Sequence, residues 1–345
     1  MDHFYTAVEE REHPEYKGKP VIVGADPKMG RGRGVVSTSN YEARKMGIRS
    51  GMPISHAWRL SPEAIFLPPD FPLYVRVSNE IMDLVRKHAV KFEQWGIDEA
   101  FLDVTSRVEG YSKAEELAMR IKCEIKEQQG LTCSIGIGPN KLVAKIASDF
   151  QKPDGLTVVK PEQVEAFLAP LPVRRLLWVG RKTEAKLKPL GIVTIGDLSR
   201  YDPNVLTEML GVMGAQIFLM ARGIDDSEVE QRTQVKSISH ETTFEVDAGD
   251  AQIVLKALNR LSEAVIEEVV DQNLFFKSVT VKVRYENFET HTHCKTLPFM
   301  TNRLQDLKKT AKELLQSYLT SERKVRLIGV RVSSLISGEK QKTLV

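Results

Sequence analysis

The sequence predicts an α+β protein with more than one domain. Its 345 residues are 42% hydrophobic, 28% charged and 7% aromatic, which is typical of globular proteins of two or more domains. Strand-like and helix-like hydrophobic periods alternate in the first half of the chain, and a helical stretch separates them from a second mixed region. The chain has neither an apolar run of the ~20 residues needed to span a bilayer nor the pattern of a signal peptide at its start. We therefore expect a cytoplasmic protein without a membrane segment.

The cysteines and the charge distribution further limit the classes of protein that the sequence fits. Cys123, Cys133 and Cys294 are odd in number and have no C-x-x-C spacing, which argues against a disulfide framework and a zinc site. The segment 232–345 contains 18 Lys+Arg against 14 Asp+Glu, whereas residues 1–231 contain 31 against 32. The basic C-terminal third fits a polyanion partner and fits an ordinary solvated surface equally well.

Periodicity predicts the elements of the first region one by one. The long helix, for example, has Val77, Ile81, Leu84 and Val85 at helical spacing. The predicted helices are 5–12, 40–46, 55–59, 74–88, 114–128 and 140–150, and the predicted strands are 20–24, 91–95, 100–104, 132–137 and 157–159. A loop rich in glycine and arginine follows the first strand, at 28–34. The order hairpin, helix, strand, helix, strand predicts an α+β unit with a mostly antiparallel sheet.

The rest of the chain predicts a helical region and a second small α+β domain. Residues 161–226 are almost wholly helical in pattern, and the polar stretch that follows has no apolar period, which indicates a linker. Beyond the linker the predicted strands are 236–244, 278–286 and 325–332, and the predicted helices are 251–270 and 301–318.

Two adjacent carboxylates, Asp98 and Glu99, lie in the turn of the predicted hairpin within an otherwise core-like stretch. Neighbouring strand side chains point to opposite faces, so both carboxylates reach one site only if the chain bends between them, as a hairpin turn does. Close carboxylates repel unless a cation lies between them, and a pair of divalent ions about 3.5–4 Å apart is the arrangement used for nucleotidyl transfer. The alternative is a solvated turn.

Residues suited to a triphosphate occur elsewhere in the chain. Tyr41 and Arg44 are three apart on a predicted helix and share a face, with Thr38 just before it. Lys152 lies in a turn after a predicted helix. Hydroxyl donors and cations of these types bind phosphates; a helix cap and solvated surface residues are the alternative.

A separate helix, glycine turn, helix pattern spans 176–198, with Gly180, Lys182 and Thr183 at its turn. In such a turn, backbone N–H groups at the start of a helix bind DNA phosphate without sequence preference.

Taken together, these motifs resemble the Y-family of translesion DNA polymerases, most closely the DNA polymerase IV (DinB-like) branch of archaeal type. The resemblance covers nearly the whole chain. Its motifs are Asp2-His3-Phe4-Tyr5, Ser39 to Gly47, Gly51-Met52-Pro53, Tyr74 with Ser78, Ile81 and Met82, Ile97 to Ala100, Ser134 to Ile137, Asn140-Lys141, Lys152 to Gly155, the turn at Gly180, Lys236-Ser237-Ile238, and Arg326 to Arg331.

The resemblance implies a right-hand architecture with a ferredoxin-like palm, small fingers, a helical thumb with a helix-hairpin-helix, and an α+β little finger. The implied bounds are fingers 4–70, with residues 1–3 in the palm; palm 71–160; thumb 161–226; linker 227–237; and little finger with C-terminal tail 238–345. It implies a DNA-directed DNA polymerase that copies damaged DNA with low fidelity, acting as a monomer on primer-template DNA and dNTP.

The resemblance also assigns roles to residues. It implies two Mg²⁺ ions held by Asp98 and Glu99, with the Met1 carbonyl and Asp2 as further ligands. The implied triphosphate ligands are Thr38, Tyr41, Arg44 and Lys152, the implied steric gate is Tyr5, and the implied DNA contacts are Gly180, Lys182, Thr183, Lys236, Ser237 and Arg331. The tail that begins at Gln341 resembles the opening of a sliding-clamp-binding peptide; the alternative is a polar tail.

Two departures from the family pattern matter. Met1 aligns with the first x of the family's motif Asp-x-Asp-x-Phe-Tyr. Asp2 therefore matches the second aspartate, and the first aspartate has no counterpart in this sequence. We therefore expect an N-terminally truncated chain, and a catalytically impaired DNA-binding homologue is the alternative. Trp178 takes the place of the first glycine in the usual Pro-Gly-x-Gly turn. A nucleotide cyclase is a second alternative, against which the turn at Gly180 and the basic C-terminal third argue.

Overall fold

A computed structural model describes residues 1–231, 234–319 and 323–338. It divides into two compact units, the first formed by residues 1–26 and 35–231 and the second by residues 27–34 and 234–338. None of the helices in these described ranges is both long and apolar enough to cross a membrane.

The first unit contains most of the secondary structure. Its helices are α1 Phe4–Glu12, α2 Tyr41–Lys45, α3 Ile54–Leu60, α4 Phe71–Arg86, α5 Gly110–Gln129, α6 Lys141–Ser148, α7 Val164–Leu168, α8 Arg181–Leu187, α9 Ile195–Ser199, α10 Pro203–Leu210 and α11 Val212–Ala221. Its strands are β1 Val21–Gly24, β2 Val36–Ser39, β3 Ile65–Leu67, β4 Lys91–Gln94, β5 Ala100–Asp103, β6 Ile135–Ile137 and β7 Leu156–Val158.

Local sequence explains where several helices begin. The side chains of Asn40, Asp70 and Asn140 each accept a hydrogen bond from a backbone N–H in the first turn of α2, α4 and α6. Thr194 and Asp197 form a reciprocal capping box at α9. Such caps satisfy donors that the helix leaves unpaired, so these polar residues fix the helix starts that hydrophobic periodicity leaves uncertain.

The strands of the first unit form three separate sheets. In one, β1 pairs antiparallel with β2 and parallel with β3. The predicted hairpin is confirmed, because β4 and β5 pair antiparallel with Gln94 opposite Ala100. The expectation of a mostly antiparallel sheet is wrong for the last pair, since β6 and β7 run parallel. Helix α6 joins them, and a helical crossover returns the chain in the same direction.

Three apolar clusters hold the first unit together. One, with Phe4, Tyr74 and Ile125, packs α1, α4 and α5 together, and a smaller one lies around Ile22 and Ile54. The third is shared between α6 and the helices from α7 to α11: Leu142 and Val143 of α6 belong to the same buried cluster as residues of that helical region such as Leu187. We therefore place α6 and the helical region in one hydrophobic core.

The second unit is the predicted small α+β domain. Its strands are β8 Ser237–Ala248, β9 Leu274–Tyr285, β10 Thr290–Thr301, β11 Val325–Ser333 and β12 Ile336–Ser337, and its helices are α12 Ala251–Asp271 and α13 Leu304–Gln316. The four long strands form an antiparallel sheet in the order β10-β9-β11-β8. Val279, Val281 and Val283 alternate along β9 and are fully buried, so one face of the sheet packs against α12 and α13.

The glycine- and arginine-rich loop belongs to the second unit by its contacts. Lys28 forms an ion pair with Glu245 at 2.5 Å, and Arg33 bonds to the Asp247 carboxylate and the Phe244 carbonyl oxygen. The side chains of this loop are therefore engaged with strand β8.

Candidate active site

The paired carboxylates lie in the β4–β5 turn, as the sequence predicts. The N–H of Trp95 donates to the carbonyl oxygen of Glu99 at 2.9 Å, which closes the turn, and the Met1 amino group donates to the carbonyl oxygen of Asp98 at 2.7 Å. Burial raises the pKa of the Asp98 carboxyl and the neighbouring Glu99 adds to the effect, against the opposing influence of the Met1 amino group and the lysines nearby. Asp98 is thus a partly buried carboxylate whose negative charge the protein compensates incompletely.

A chain of alternating charges leads away from Glu99. Lys145 bonds to Glu99 at 2.9 Å and to Asp149 at 3.1 Å, and Asp149 bonds on its other oxygen to Lys152 at 2.6 Å. Burial opposes the charged form of Lys145, but the carboxylates of Glu99 and Asp149 outweigh it and raise the pKa of the ammonium. Burial would likewise raise the pKa of Asp149, yet the two lysines lower it. Lys145 and Asp149, at the centre of the ion chain Glu99–Lys145–Asp149–Lys152, are therefore both favoured in their charged forms.

Most of the residues predicted to bind nucleotide surround one cavity. The cavity has a volume of about 300 Å³, and Tyr5, Thr38, Arg44 and Lys152 line it together with Asp98 and Met1. Two cations and a hydroxyl thus face the predicted metal carboxylate across one space. An adjoining cavity of about 460 Å³ is lined by Asp98, Glu99 and Lys145, and Met1, Asp98 and Lys152 border both.

Tyr41 lies behind this cavity. Its ring packs edge-on against His3 with centroids 5.1 Å apart, and the Arg44 guanidinium lies 4.9 Å from the ring centroid. The Tyr41 hydroxyl is buried and has no hydrogen bond of good geometry within the described residues. Burial, with the nearby Arg44, lowers the pKa of His3 to about 4, so His3 is neutral at physiological pH. Burial raises the pKa of the Tyr41 hydroxyl against the opposing influence of the neighbouring Arg44, so Tyr41 and Arg44 form a pair at the back of the cavity.

Tyr5 presents an aromatic surface to the cavity. Its ring stacks on Tyr74 with centroids 4.4 Å apart and an interplanar angle of 12°, and Phe71 meets it edge-on at 6.1 Å. Tyr74 is fully buried and its hydroxyl donates to Glu9 at 2.5 Å. Because Tyr74 is held on both its ring and its hydroxyl, Tyr5 rests on a rigid support.

Asp2 is engaged in a way that the sequence did not predict. It is 1% exposed, and its carboxylate accepts hydrogen bonds from the Thr132 hydroxyl at 3.0 Å, the Ser134 hydroxyl at 2.7 Å and the Asp154 N–H at 2.8 Å. Burial alone would raise its pKa, but these three donors lower it. All three bonds tie the start of the chain to the segments around 132 and 154, which makes Asp2 a structural carboxylate in this arrangement.

The donor set around Asp98 and Glu99 fits a divalent cation in part. Carboxylate oxygens are the ligands that Mg²⁺ prefers, and sites that bind nucleotides commonly supply one or two carboxylates and take the remaining ligands from phosphates and water. The incompletely compensated charge of Asp98 fits a nearby cation. Over residues 1–231, 234–319 and 323–338, no cluster of three acidic, histidine or cysteine side chains is placed to hold a metal, so Asp98 and Glu99 would be the side-chain ligands.

The predicted DNA contacts lie on exposed surfaces of the two units. In the first unit, Gly180 is the N-cap of α8, and Lys182 and Thr183 lie in the first turn of that helix. In the second unit, Lys236 and Arg331 are exposed, and Ser237 begins β8 opposite Ser333 of β11. The tail that begins at Gln341 lies outside the described residues.

Two residues of the ion chain were not found from the sequence. Lys145 and Asp149 are four apart on and just after α6, a spacing that predicts an ion pair on one helix face. Lys152 follows three residues later. This spacing was a usable signal for a charged cluster, but it gave no indication that Glu99, 46 residues away, would join it.

The fold and this site together define a template-directed nucleotidyltransferase of the polymerase class. Three family descriptions match the chain in order: the impB/mucB/samB family over residues 1–149, the thumb domain of DNA polymerase-iota over 176–225, and the impB/mucB/samB family C-terminal domain over 235–344. The chain belongs to the Y-family of DNA polymerases, in its DNA polymerase IV (DinB-like) branch.

Relatives support this assignment over nearly the full length of the chain. The chain is 51% identical to DNA polymerase IV of Methanoculleus marisnigri, over 98% of this chain and 93% of the relative. It is 48% identical to DNA polymerase IV 2 of Methanosarcina mazei, over 100% and 93%. It is 40% identical to DNA polymerase IV of Listeria monocytogenes, over 97% and 93%.

Solved structures agree. A Y-family DNA polymerase chimera of Dbh and Dpo4 has a TM-score of 0.88 at 34% identity, and an insertion ternary complex of Dbh DNA polymerase has a TM-score of 0.67 at 33% identity. In each comparison 98% of both chains is covered. The right-hand polymerase fold predicted from the sequence motifs is confirmed, including its thumb of helix-hairpin-helix type.

Proposed function

We propose that this chain copies damaged DNA with low fidelity by transferring a nucleotide from dNTP to a primer 3′-OH. The observation that carries the proposal is the cavity in which Tyr5, Thr38, Arg44 and Lys152 face Asp98. This places triphosphate-binding groups, an aromatic wall and a metal-binding carboxylate around one space. Membership of the DNA polymerase IV branch supports primer-template DNA and dNTP as substrates.

The reaction depends on a divalent metal, as in the family generally, and the proposal specifies two Mg²⁺ ions. Asp98 and Glu99 would hold them, with the Met1 carbonyl as a main-chain ligand and Asp2, whose carboxylate also accepts three protein hydrogen bonds, as a weaker further ligand. When bound, such ions stabilise the charge that develops on the attacking and leaving oxygens.

The remaining steps belong to side chains. Arg44 and Lys152 neutralise the triphosphate and orient it, with the Thr38 hydroxyl as a further donor. The Tyr5 ring lies against the sugar and excludes a 2′-hydroxyl by steric overlap. Lys145 holds Glu99 by their hydrogen bond at 2.9 Å, so that Glu99 is oriented before substrate binds. Most of the rate enhancement then comes from positioning and electrostatic stabilisation.

We assign a role to each domain, using the domain bounds that the family resemblance implies. Fingers (4–70) and palm (71–160) form the chemical site, and the thumb (161–226) holds DNA through Gly180, Lys182 and Thr183. After the linker (227–237), the little finger and tail (238–345) hold DNA through Lys236, Ser237 and Arg331. A monomeric, cytoplasmic enzyme and a clamp contact through the tail beginning at Gln341 complete the proposal.

Primer extension tests the proposed function. With an undamaged primer-template, Mg²⁺ and all four dNTPs, we expect single-nucleotide additions by the wild-type chain. Asp98→Asn and Glu99→Gln should each lower the extension rate by about 100-fold or more while primer-template affinity is kept. Glu115→Gln, on an exposed part of α5, is the matched control and should extend at the wild-type rate.

The outcomes separate the alternatives. Tight DNA binding by the wild-type chain without any extension would overturn the proposal in favour of the impaired DNA-binding homologue, an alternative that the names of the relatives do not support. Turnover of nucleotide in the absence of DNA would favour a cyclase. Equal extension by the wild type and both carboxylate variants would reject the assigned site.

A further inference from the structure

The turn before α8 carries an exposed tryptophan in an unusual backbone conformation. Trp178 is 62% exposed and its φ is +70°. This is a left-handed backbone conformation that residues other than glycine and asparagine rarely adopt. Its ring makes no aromatic or cation–π contact within the described parts of the chain. The folded protein therefore keeps a large apolar ring in water at a position where the backbone favours glycine.

The backbone at this position is firmly held while the ring is not. Leu176 and Val179 on either side are buried, at 2% and 5% exposure, and the Val179 N–H donates to the Leu176 carbonyl oxygen at 3.2 Å. The tight turn thus directs Trp178 outward. Packing of the thumb core does not explain the ring, because removal of an exposed side chain leaves no cavity.

The surface on both sides of the ring is strongly basic. The segment 174–188 contains a single acidic residue and six exposed cations, Arg174, Arg175, Arg181, Lys182, Lys186 and Lys188. The acidic residue, Glu184, pairs with Arg174 at 3.3 Å. The other five cations form no ion pair within the described residues, so their charge is directed to solvent or to a polyanion.

We propose that Trp178 is a DNA contact, in which the indole packs against deoxyribose of the bound primer-template while the flanking cations hold the adjacent phosphates. This inference rests on the proposed function, since it takes DNA as the partner. A nucleic acid backbone has an apolar sugar face that can cover the exposed Trp178 ring. It also has phosphates at short intervals that can pair with the flanking cations. An acidic protein is the other partner that the charge would suit, but it supplies no repeating sugar and phosphate pattern.

Substitution of the ring separates this role from a structural one. Trp178→Gly removes the ring and suits the positive φ, so the melting temperature should be unchanged or higher. Primer-template affinity should fall about tenfold, which corresponds to about 1.4 kcal/mol. Trp178→Phe keeps an aromatic ring and should bind DNA within about twofold of the wild type. Trp58→Phe, in α3, is the matched control and should leave the affinity unchanged.

Intrinsic fluorescence gives a readout that depends on no variant's stability. When duplex primer-template is titrated into the wild-type protein, tryptophan emission should shift to shorter wavelength because the Trp178 indole leaves water. The shift should keep its full size in Trp58→Phe and be clearly smaller in Trp178→Phe, in which Trp95 of the β4–β5 turn still reports on the active site.

The results distinguish failure of this inference from failure of the proposed function. Wild-type affinity in Trp178→Gly, or an emission shift of undiminished size in Trp178→Phe, would overturn the DNA contact while leaving the polymerase assignment in place. A wild-type protein that binds no primer-template at all would reject both. If an acidic protein such as poly-glutamate produced the emission shift and DNA did not, the ring would belong to a protein interface instead.

Discussion

At the scale of single residues, the site combines side chains that differ in how firmly they are held. Tyr5 is stacked on a buried Tyr74 that is itself hydrogen-bonded, whereas Lys152 is held by an ion pair to Asp149. A rigid aromatic wall suits the exclusion of a substrate group, because an analogue that overlaps it cannot be accommodated by a small shift. A cation on a flexible stem suits a triphosphate, whose position changes as it binds.

Substitution of Tyr5 tests the aromatic wall. Tyr5→Ala removes the ring from the cavity, so the preference for dNTP over NTP should fall by about tenfold or more, measured as the ratio of single-nucleotide incorporation rates. Tyr5→Phe keeps the ring and should keep the preference. An unchanged preference in Tyr5→Ala would reject the steric-gate assignment.

The three cysteines give a prediction that depends on pH. Cys133 is buried, and burial raises the pKa of its thiol to about 11, whereas Cys123 and Cys294 are exposed. The thiolate is the reactive form, and Cys133 is both protonated and shielded at pH 8, so the native protein should react quickly with a thiol reagent only at the two exposed cysteines. The third should react only after denaturation. Fast modification of Cys133, identified by peptide mass, would contradict the burial seen in the structure.

At the scale of elements, hydrophobic periodicity predicted most helices and the β4–β5 hairpin. It failed where the burial and pairing of a strand depend on distant residues. The polar strand β10 was missed because His291, Thr292 and His293 have no apolar alternation; it is a strand because β9 pairs with it. Strands β2 and β3 were missed because each is at most four residues long and is defined by pairing with β1.

The same limit applies to the site. Asp98, Glu99, Thr38, Arg44 and Lys152 were identified by residue type and spacing, and only the family resemblance connected them in one site. The structure brings them around adjoining cavities. The structural role of Asp2 was beyond sequence reasoning, because its three donors come from segments 130 or more residues away.

A close contact between two thumb helices predicts a stability effect. A Cβ on Gly214 of α11 would lie 2.0 Å from the carbonyl oxygen of Leu206 in α10, so Gly214→Ala should force the helices apart and lower the free energy of unfolding by about 1–3 kcal/mol. A Cβ on Gly180 would meet nothing within 4 Å. Gly180→Ala should therefore lower the free energy of unfolding by only about a few tenths of the amount expected for Gly214→Ala. Denaturant unfolding of both variants measures the difference, and equal stabilities would contradict the close packing.

At the scale of the whole molecule, each unit has a hydrophobic core of its own. The second unit buries residues such as Phe276, Val281 and Ile328 between its sheet and helices. Its links to the loop 27–34 include an exposed ion pair, Lys28 with Glu245, and the partly buried bonds of Arg33. An exposed ion pair contributes at most about 1 kcal/mol, and neither Glu245 nor Asp247 belongs to the buried cluster, so the core of the second unit does not depend on these bonds.

A fragment spanning 234–345 should therefore fold alone. We expect a single cooperative thermal transition by circular dichroism, with an unfolding enthalpy of about 60–80 kcal/mol at the midpoint. Val281→Asp, which places a charge in the fully buried core, should abolish the transition. A wild-type fragment with no cooperative transition would show that residues outside 234–345 are needed for folding.

The shared core of α6 and the thumb has a consequence for recombination between relatives. Leu142, Val143 and Ile146 of α6 pack in the same cluster as Leu187 and Ile217 of the thumb. A crossover at the predicted palm–thumb boundary, between residues 160 and 161, would therefore build one hydrophobic core from two different parent sequences. A crossover just before Asn140 would transfer the matching apolar surfaces together. In this chain the unit of exchange is therefore larger than the thumb, and substitutions on the inner face of α6 should be inherited with those of the thumb.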